Sequence, residues 1–351
     1  MNGVMGGAAP VPPATKGVDA PATTSGKDSV VVDQKTDAAI KAALKYLAAK
    51  QGVDGAWASP DGEHPVAVTA YTLMAFLATG HLPNEGEYGK NVQQGVKYLL
   101  SCCRNDGFIS SIGLGTNPNR RSDMYDHGIA SIALAEIYGQ NQDPQVRVKL
   151  AASIQMIIKV QNKQGGWRYT PGANDSDISV TVLQVVALRA AKNGGLDVPQ
   201  KTIDRAVAYI KTCYDKNSGG FFYQPGNGLR AAATAAGIYS LQVCGLYDDP
   251  MVAKGSSYIV GQAQNWGEFY TYGHFYAAPA IYMIGGETWQ KWYPAIRDRL
   301  LSDMIADPGD KTVVYWRGVD GSAQGVGPVY STAVYTTVLA MPYHYIPLYQ
   351  R

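Results

Sequence analysis

Apolar side chains recur at helical spacing through almost all of this chain after residue 34, and the rhythm itself repeats. In DAAIKAALKYLAAKQGVDGAWAS, Ile40, Leu44 and Leu47 share one helical face, Thr36 or Asp37 can cap the start, and the run stops at a glycine turn. GVKYLLSCCRNDGFISS, SIQMIIKVQNKQGGWRY, AVAYIKTCYDKNSGGFFYQ and GSSYIVGQAQNWGEFYTY repeat the form of an amphipathic helix, a polar Gly turn and then an aromatic. A sixth unit, around AIRDRLLSDMIADPGDKTVVYW, is the most degenerate. Tyr46, Tyr98, Tyr209 and Tyr258 mark a period of about 50 residues, long enough for two helices and two loops.

Each unit supplies a second helix. These are VAVTAYTLMAFLATG, YDHGIASIALAEIYG, DISVTVLQVVALRAA, RAAATAAGIYSLQVCG, YGHFYAAPAIYMIGG and YSTAVYTTVLAM. They are apolar nearly all round, so they are expected to be buried on both sides while the first set faces water. Two concentric rings of helices follow, an all-α domain over residues 35–351. Residues 1–34, rich in Gly, Ala, Pro, Ser and Thr, have almost nothing to bury and read as a flexible tail. Such a tail suits a tether in the periplasm or cell envelope behind a removed export signal, and equally a cytoplasmic protein, so the compartment stays open.

Charge narrows the partners. Thirty basic and 28 acidic residues leave a formal charge of +2, with no basic run or stripe, so no nucleic-acid footprint is visible. Cys102, Cys103, Cys213 and Cys244 lack zinc-type spacing and are too sparse for a disulfide scaffold, so they read as buried helix thiols. No apolar run approaches the roughly 20 residues that span a bilayer. Neither metal nor cofactor is expected.

Function has to come from the starts of the second helices, where backbone N–H groups and helix dipoles converge on one mouth and favour an anion such as a diphosphate or carboxylate. The polar side chains there are His64 and Thr69; Tyr125, Asp126 and His127; Asp175, Asp177, Ser179 and Thr181; Arg230; Tyr270, Tyr272, His274 and Tyr276; and Tyr330 and Tyr335.

The turn QxxxGxW occurs as Gln51, Gly55 and Trp57 and again as Gln161, Gly165 and Trp167. It resembles the QW repeat of squalene and oxidosqualene cyclases, and protein prenyltransferase β subunits are similar in fold. The resemblance implies an (α/α)6 toroid, closest to bacterial single-toroid proteins with prenyltransferase or squalene oxidase repeats, whose YIPLYQR-like ending is also similar here. In physical terms a planar aromatic after a Gly turn can cover the end of a neighbouring helix while Gln bonds its loose backbone groups. These four Gln and Trp residues therefore speak for fold, not for function.

Squalene cyclases open the matching helix with DxDDTA, whose second aspartate protonates an alkene or epoxide; oxidosqualene cyclases use a similar SDCTA. This chain has DSDISV, so Asp175 and Asp177 match the first two carboxylates while Ile178 replaces the third. As an acid, Asp177 needs to be held neutral in a dry pocket, with Asp175 and His127 as tuning partners. As a helix cap, it needs only to accept an N–H two or three residues on. Two departures weigh against ordinary triterpene cyclisation. Those enzymes resemble two toroids with the site between them, whereas this chain holds one, and cation-stabilising Phe and Trp give way here to 24 tyrosines.

The zinc site of the prenyltransferases is similar only at His274, because LRAAATAAGIYSLQ carries neither the Asp nor the Cys. Complement-type thioester domains share the toroid, but Cys103 is followed by RNDG, which cannot form the thioester. His81 and His344 receive no role. Two classes remain. One is a cyclase-like isomerase handling an isoprenoid, with Asp177 as acid, Asp175 and His127 tuning it, and Tyr272, Tyr276 and Tyr335 in the wall. The other is a non-catalytic toroid that binds a lipid or a protein partner at the same mouth. A buried Asp177 aimed into a closed apolar pocket favours the first; one that caps its helix at an open mouth favours the second.

Overall fold

The computed structural model describes residues 30–111, 124–262 and 266–349. The tail up to residue 29 lies outside the described residues.

Helices run in six pairs: α1 (Gln34–Ala49) and α2 (Pro65–Ala78), α3 (Gly89–Ser101) and α4 (Met124–Asn141), α5 (Pro144–Lys159) and α6 (Ile178–Asn193), α7 (Gln200–Thr212) and α8 (Ala231–Val243), α9 (Pro250–Gly261) and α10 (Tyr270–Ile284), and α11 (Gly286–Asp303) with, after the short α12 (Gly321–Val326), α13 (Pro328–Leu339). The second helices pack side by side in the order α2, α4, α6, α8, α10, α13, and α13 returns to α2, which closes the ring. The first helices pack around the outside; α5 touches α4 and α6, and α7 touches α6 and α8. This is the (α/α)6 toroid. Composition explains the layering. In α8 every residue is buried, whereas α7 buries only Thr202, Ile203, Ala206, Tyr209 and Ile210 along one stripe.

The glycine turns lock each unit to the next. Gly165 has φ +94°, and a Cβ there would lie 2.4 Å from the carbonyl oxygen of Arg205 on α7, the next outer helix. Gly107 does the same against Ala152 on α5, at 2.2 Å. Only a residue without a side chain fits both the left-handed backbone and the contact.

Around the turn, Gln161 Nε2 donates to the carbonyls of Gly165 (2.7 Å) and Thr202 (2.9 Å), and Gln51 does likewise to Gly55 and Asn91, both at 2.9 Å. Trp57 and Trp167 donate their indole N–H groups back to Leu47 (2.6 Å) and Ile157 (2.9 Å) at the ends of their own outer helices. Trp316 donates to Leu300 at 2.7 Å, so even the most degenerate unit keeps the bond.

Three details differ from expectation. Asp33, not Thr36 or Asp37, caps α1, because its carboxylate accepts the Thr36 N–H at 2.8 Å while Asp37 is engaged by Lys41 and by the Tyr343 hydroxyl. Cys244 is only partly buried, and the other three thiols are buried; all four are free. Two small hairpins interrupt the helices: β1 (Phe221–Gln224) pairs with β2 (Asn227–Arg230), and β3 (Ile305–Ala306) with β4 (Val314–Tyr315), both antiparallel.

At the far end of the ring, the segment after α13 packs against α10 and α13 and buries Leu348 and Tyr349. Glu136, late in α4, is buried there against the Leu348 backbone N–H, and burial pushes its carboxyl up to about 7. No helix among the described residues is long and apolar enough to cross a membrane.

Candidate functional site

The N-terminal turns of the inner helices surround a cavity of about 490 Å³. Six tyrosines line it, Tyr71, Tyr125, Tyr169, Tyr223, Tyr272 and Tyr330, together with Phe269 and a series of Ala, Val and Ile side chains. His64, Asp126, Ser179, Arg230 and Ser322 supply its polar atoms. The other end of the ring is covered by the C-terminal segment.

Helix rotation sorts the polar residues at these helix starts. Successive residues turn by about 100°, so positions two apart face nearly opposite ways. Tyr125 and Ser179 face the cavity; His127 and Thr181, two residues on, face the outer ring. There Thr181 Oγ1 accepts the Trp167 backbone N–H at 3.1 Å, as Thr69 does from Trp57 (2.8 Å), Thr234 from Phe221 (2.9 Å) and Thr332 from Trp316 (3.0 Å). In the second unit His127 takes over that position. Its Nδ1 accepts Ile109 N–H at 3.1 Å, its Nε2 faces the Ser153 carbonyl at 3.2 Å, and its ring stacks on Phe108. With Nδ1 the acceptor, Nε2 carries the proton, and burial holds the imidazole neutral by lowering its pKa to about 4. Both nitrogens are thus occupied away from Asp177.

Asp177 is the N-cap of α6 and fully buried. Its Oδ1 accepts Val180 N–H at 2.9 Å and the Ser179 hydroxyl at 2.6 Å, and its Oδ2 lies 3.2 Å from Arg168 Nη1. It does not itself line the cavity. Burial raises its pKa, against the lowering pull of Ser179, Val180 and Arg168. Asp175 is half exposed and shares Arg168 from outside, at 3.4 Å from Nε, with Gln224 at 3.2 Å. The two carboxylates therefore meet on one guanidinium, and His127 stands apart.

The cavity side of this network is phenolic. Tyr125 Oη hydrogen-bonds Ser179 Oγ, Tyr272 donates to the Ser179 carbonyl at 2.8 Å, and the Tyr125 and Tyr272 rings meet edge to face. Arg168 also donates to Tyr223 Oη at 3.2 Å and lies over the Tyr169 ring at 4.7 Å; Tyr223 and Tyr169 bond each other through their hydroxyls. Burial raises the pKa of Tyr71, Tyr125, Tyr223, Tyr272 and Tyr330, so these phenols stay protonated. Arg230 stacks over Phe269 at 5.1 Å and faces Glu268 at 3.9 Å.

Among the expected site residues, Tyr125, Asp126, Ser179, Arg230, Tyr272 and Tyr330 thus share one cavity with His64. Asp175 lies outside at the surface, and the others stand behind the cavity wall. Tyr276 packs its ring under Tyr272 at 4.9 Å, and Tyr335 bonds Thr271 Oγ1 at 2.8 Å. His274 bonds the Tyr270 carbonyl at 2.8 Å and is enclosed by Trp266, Tyr270 and Trp292, so burial lowers its pKa to about 4. Among the described residues no three His, Cys, Asp or Glu side chains converge as a metal site would require.

Sequence reasoning passed over Arg168, Tyr169, Tyr223 and Tyr71. A usable signal existed for the first two. In GGWRYT a cation follows directly on the repeat tryptophan, and Trp167 packs into the turn while Arg168 reaches Asp177 at the following helix start.

Comparisons with known proteins agree with this architecture. A family model, the prenyltransferase alpha-alpha toroid domain, matches residues 90–270. No curated protein matches the sequence. Among solved structures, a variant of the type II terpene cyclase MstE from Scytonema, in complex with its substrate geranylgeranyl dihydroxybenzoate, is 13% identical with a TM-score of 0.58, over 89% of this chain and 98% of that one. Cellobiose 2-epimerase from Bacillus thermoamylovorans is 13% identical with a TM-score of 0.64, covering 88% and 98%. A family 76 glycoside hydrolase (mannosidase) from Bacteroides thetaiotaomicron is 10% identical with a TM-score of 0.59, covering 88% and 97%. At such identities the likeness is one of fold alone.

Proposed function

The chain belongs to the prenyltransferase alpha-alpha toroid domain family, and we propose that it binds an isoprenoid or other lipid in its central cavity. One observation carries this reading: among the described residues the cavity wall is built from aromatic rings and small aliphatic side chains, with His64, Asp126, Ser179, Arg230 and Ser322 as its other polar members. Its volume of about 490 Å³ suits a small molecule, since such sites span roughly 300–1,000 Å³. An apolar wall with a few placed polar atoms fits a chain with one polar head, and the terpene cyclase of the same fold binds such a molecule. A sugar site of the kind the epimerase and mannosidase serve would draw on the six phenols with His64, Asp126, Ser179, Arg230 and Ser322, so oligosaccharides belong in the test beside the lipids.

A second reading, proton-initiated cyclisation, has one observation in its favour. Tyr125 and Ser179 connect the buried Asp177 carboxyl to the cavity, and burial raises the pKa of that carboxyl. Against it, Asp177 is committed to its helix cap and to Arg168. Binding is therefore the reading preferred here.

The test is titration of the intact chain with linear polyprenyl alcohols and diphosphates, squalene, and manno- and cello-oligosaccharides, followed by tryptophan fluorescence and native mass spectrometry. Saturable lipid binding that Ala233→Trp abolishes supports the lipid site. Binding of the oligosaccharides alone overturns it. Conversion of a bound lipid that disappears in Asp177→Asn shifts the assignment to the cyclase.

A further inference from the structure

We propose that the cavity receives its ligand by a free hydroxyl group at the face formed by Tyr125, Ser179 and Tyr272, so that the ligand class is an alcohol. This rests on the lipid-site reading and adds the head group to it.

The argument follows the protons. Val180 N–H and Ser179 Oγ both reach Oδ1 of Asp177, and Arg168 lies against Oδ2. A guanidinium is always charged and only donates, so Asp177 is the acceptor on both oxygens. Ser179 is then the donor in its bond to Asp177, and its hydroxyl has a single proton. The bond between Ser179 Oγ and Tyr125 Oη must therefore use the phenol proton of Tyr125. Tyr272 directs its own proton at the Ser179 carbonyl, 2.8 Å away. Both phenols are half-buried and line the cavity.

Both protons thus point into the protein, so the Tyr125 oxygen, and the Tyr272 oxygen beside the Tyr276 hydroxyl, turn lone pairs rather than protons to the cavity. A ligand that meets them has to bring a donor. An ammonium would qualify by hydrogen bonding alone, but the cavity holds Arg230 as well as the Asp126 carboxyl, and a cation would have to shed its water among aromatic rings. A neutral hydroxyl carries no such cost. Ethers, esters and diphosphates bring acceptors only and would set lone pair against lone pair at this face.

Three probes of one chain length separate the cases: geranylgeraniol, its methyl ether and its diphosphate, each titrated by fluorescence into the wild type, Tyr125→Phe and Ser179→Ala, with circular dichroism to establish that every variant is folded. The wild type is expected to bind the alcohol about five- to tenfold more tightly than the ether, the worth of one neutral hydrogen bond. Tyr125→Phe lowers alcohol affinity and leaves the ether unchanged. Ser179→Ala frees the Tyr125 proton to turn toward the cavity, so the ether gains and the gap closes to about twofold or less. Equal binding of alcohol and ether by the wild type, or a gap that survives in both variants, overturns the hydroxyl assignment and leaves the lipid site standing. Tighter binding of the diphosphate than of the alcohol overturns it too, by placing the head group at Arg230. Failure of all three probes to bind removes the lipid-site reading itself, and the inference with it.

Discussion

Ser179 donates its hydroxyl proton to Oδ1 of Asp177 at 2.6 Å, the same oxygen that accepts the Val180 N–H and caps α6. Through this bond a structural carboxylate fixes the orientation of a cavity-wall hydroxyl, and Tyr125 is fixed in turn. The carboxylate at the start of α6 is thus a cap whose influence reaches the cavity without lining it.

Asp177→Ala is expected to destabilise the fold by about 2–4 kcal/mol, because it removes the cap and leaves Arg168 without its buried partner. Asp177→Asn keeps an oxygen for Val180 N–H and loses only the charge pairing, so its cost should be the smaller. Urea denaturation of both variants checks the order; unchanged midpoints in both would mean that the cap and ion pair do not support α6.

Thr181 and Ser179 make a matched pair of opposite character. Thr181→Val leaves the buried Trp167 N–H without an acceptor and should cost about 1–3 kcal/mol while ligand affinity holds. Ser179→Ala should change ligand selectivity at a smaller cost in stability. Thermal melts and ligand titrations on the same two proteins read both effects.

Gly165→Ala places a Cβ 2.4 Å from the Arg205 carbonyl at φ +94°. A loss of at least about 2 kcal/mol is expected, from the strained backbone and the forced separation of α7 together. Gly172→Ala is the control, since it shares the positive φ of +81° with nothing within 4 Å. The difference between the two melting temperatures isolates the contact.

Glu136 makes stability depend on pH in a stated direction. Its ordinary value of 4.5 is raised by burial to about 7, so between those values the folded chain holds a proton that the unfolded chain has released. Its contribution is complete below pH 4.5 and is lost as pH rises through 7. Glu136→Gln removes this dependence and should exceed the wild type by about 2 kcal/mol at pH 8, with no such gain at pH 4. Urea midpoints across that range provide the check; parallel curves for the two proteins would contradict it.

The six-fold period, the two rings, and the assignment of each helix to the inner or outer one were legible in the sequence, because amphipathic spacing and glycine turns are local properties that each unit states afresh. Gln161 and Trp167 could be read as structural for the same reason, whereas the sequence left Asp177 open between a cap and an acid. Which way the inner helices face was not legible. A helix buried on every side, such as α8, is apolar on every side, so its sequence carries no phase to mark the cavity face. Tertiary packing alone decided that Ser179 looks inward and Thr181 outward, that His127 serves a backbone N–H, and that Arg168 joins Asp175, Asp177 and Tyr223, the last from a hairpin in the following unit. Those contacts join residues up to 55 positions apart, and their geometry is set by how neighbouring units close the ring.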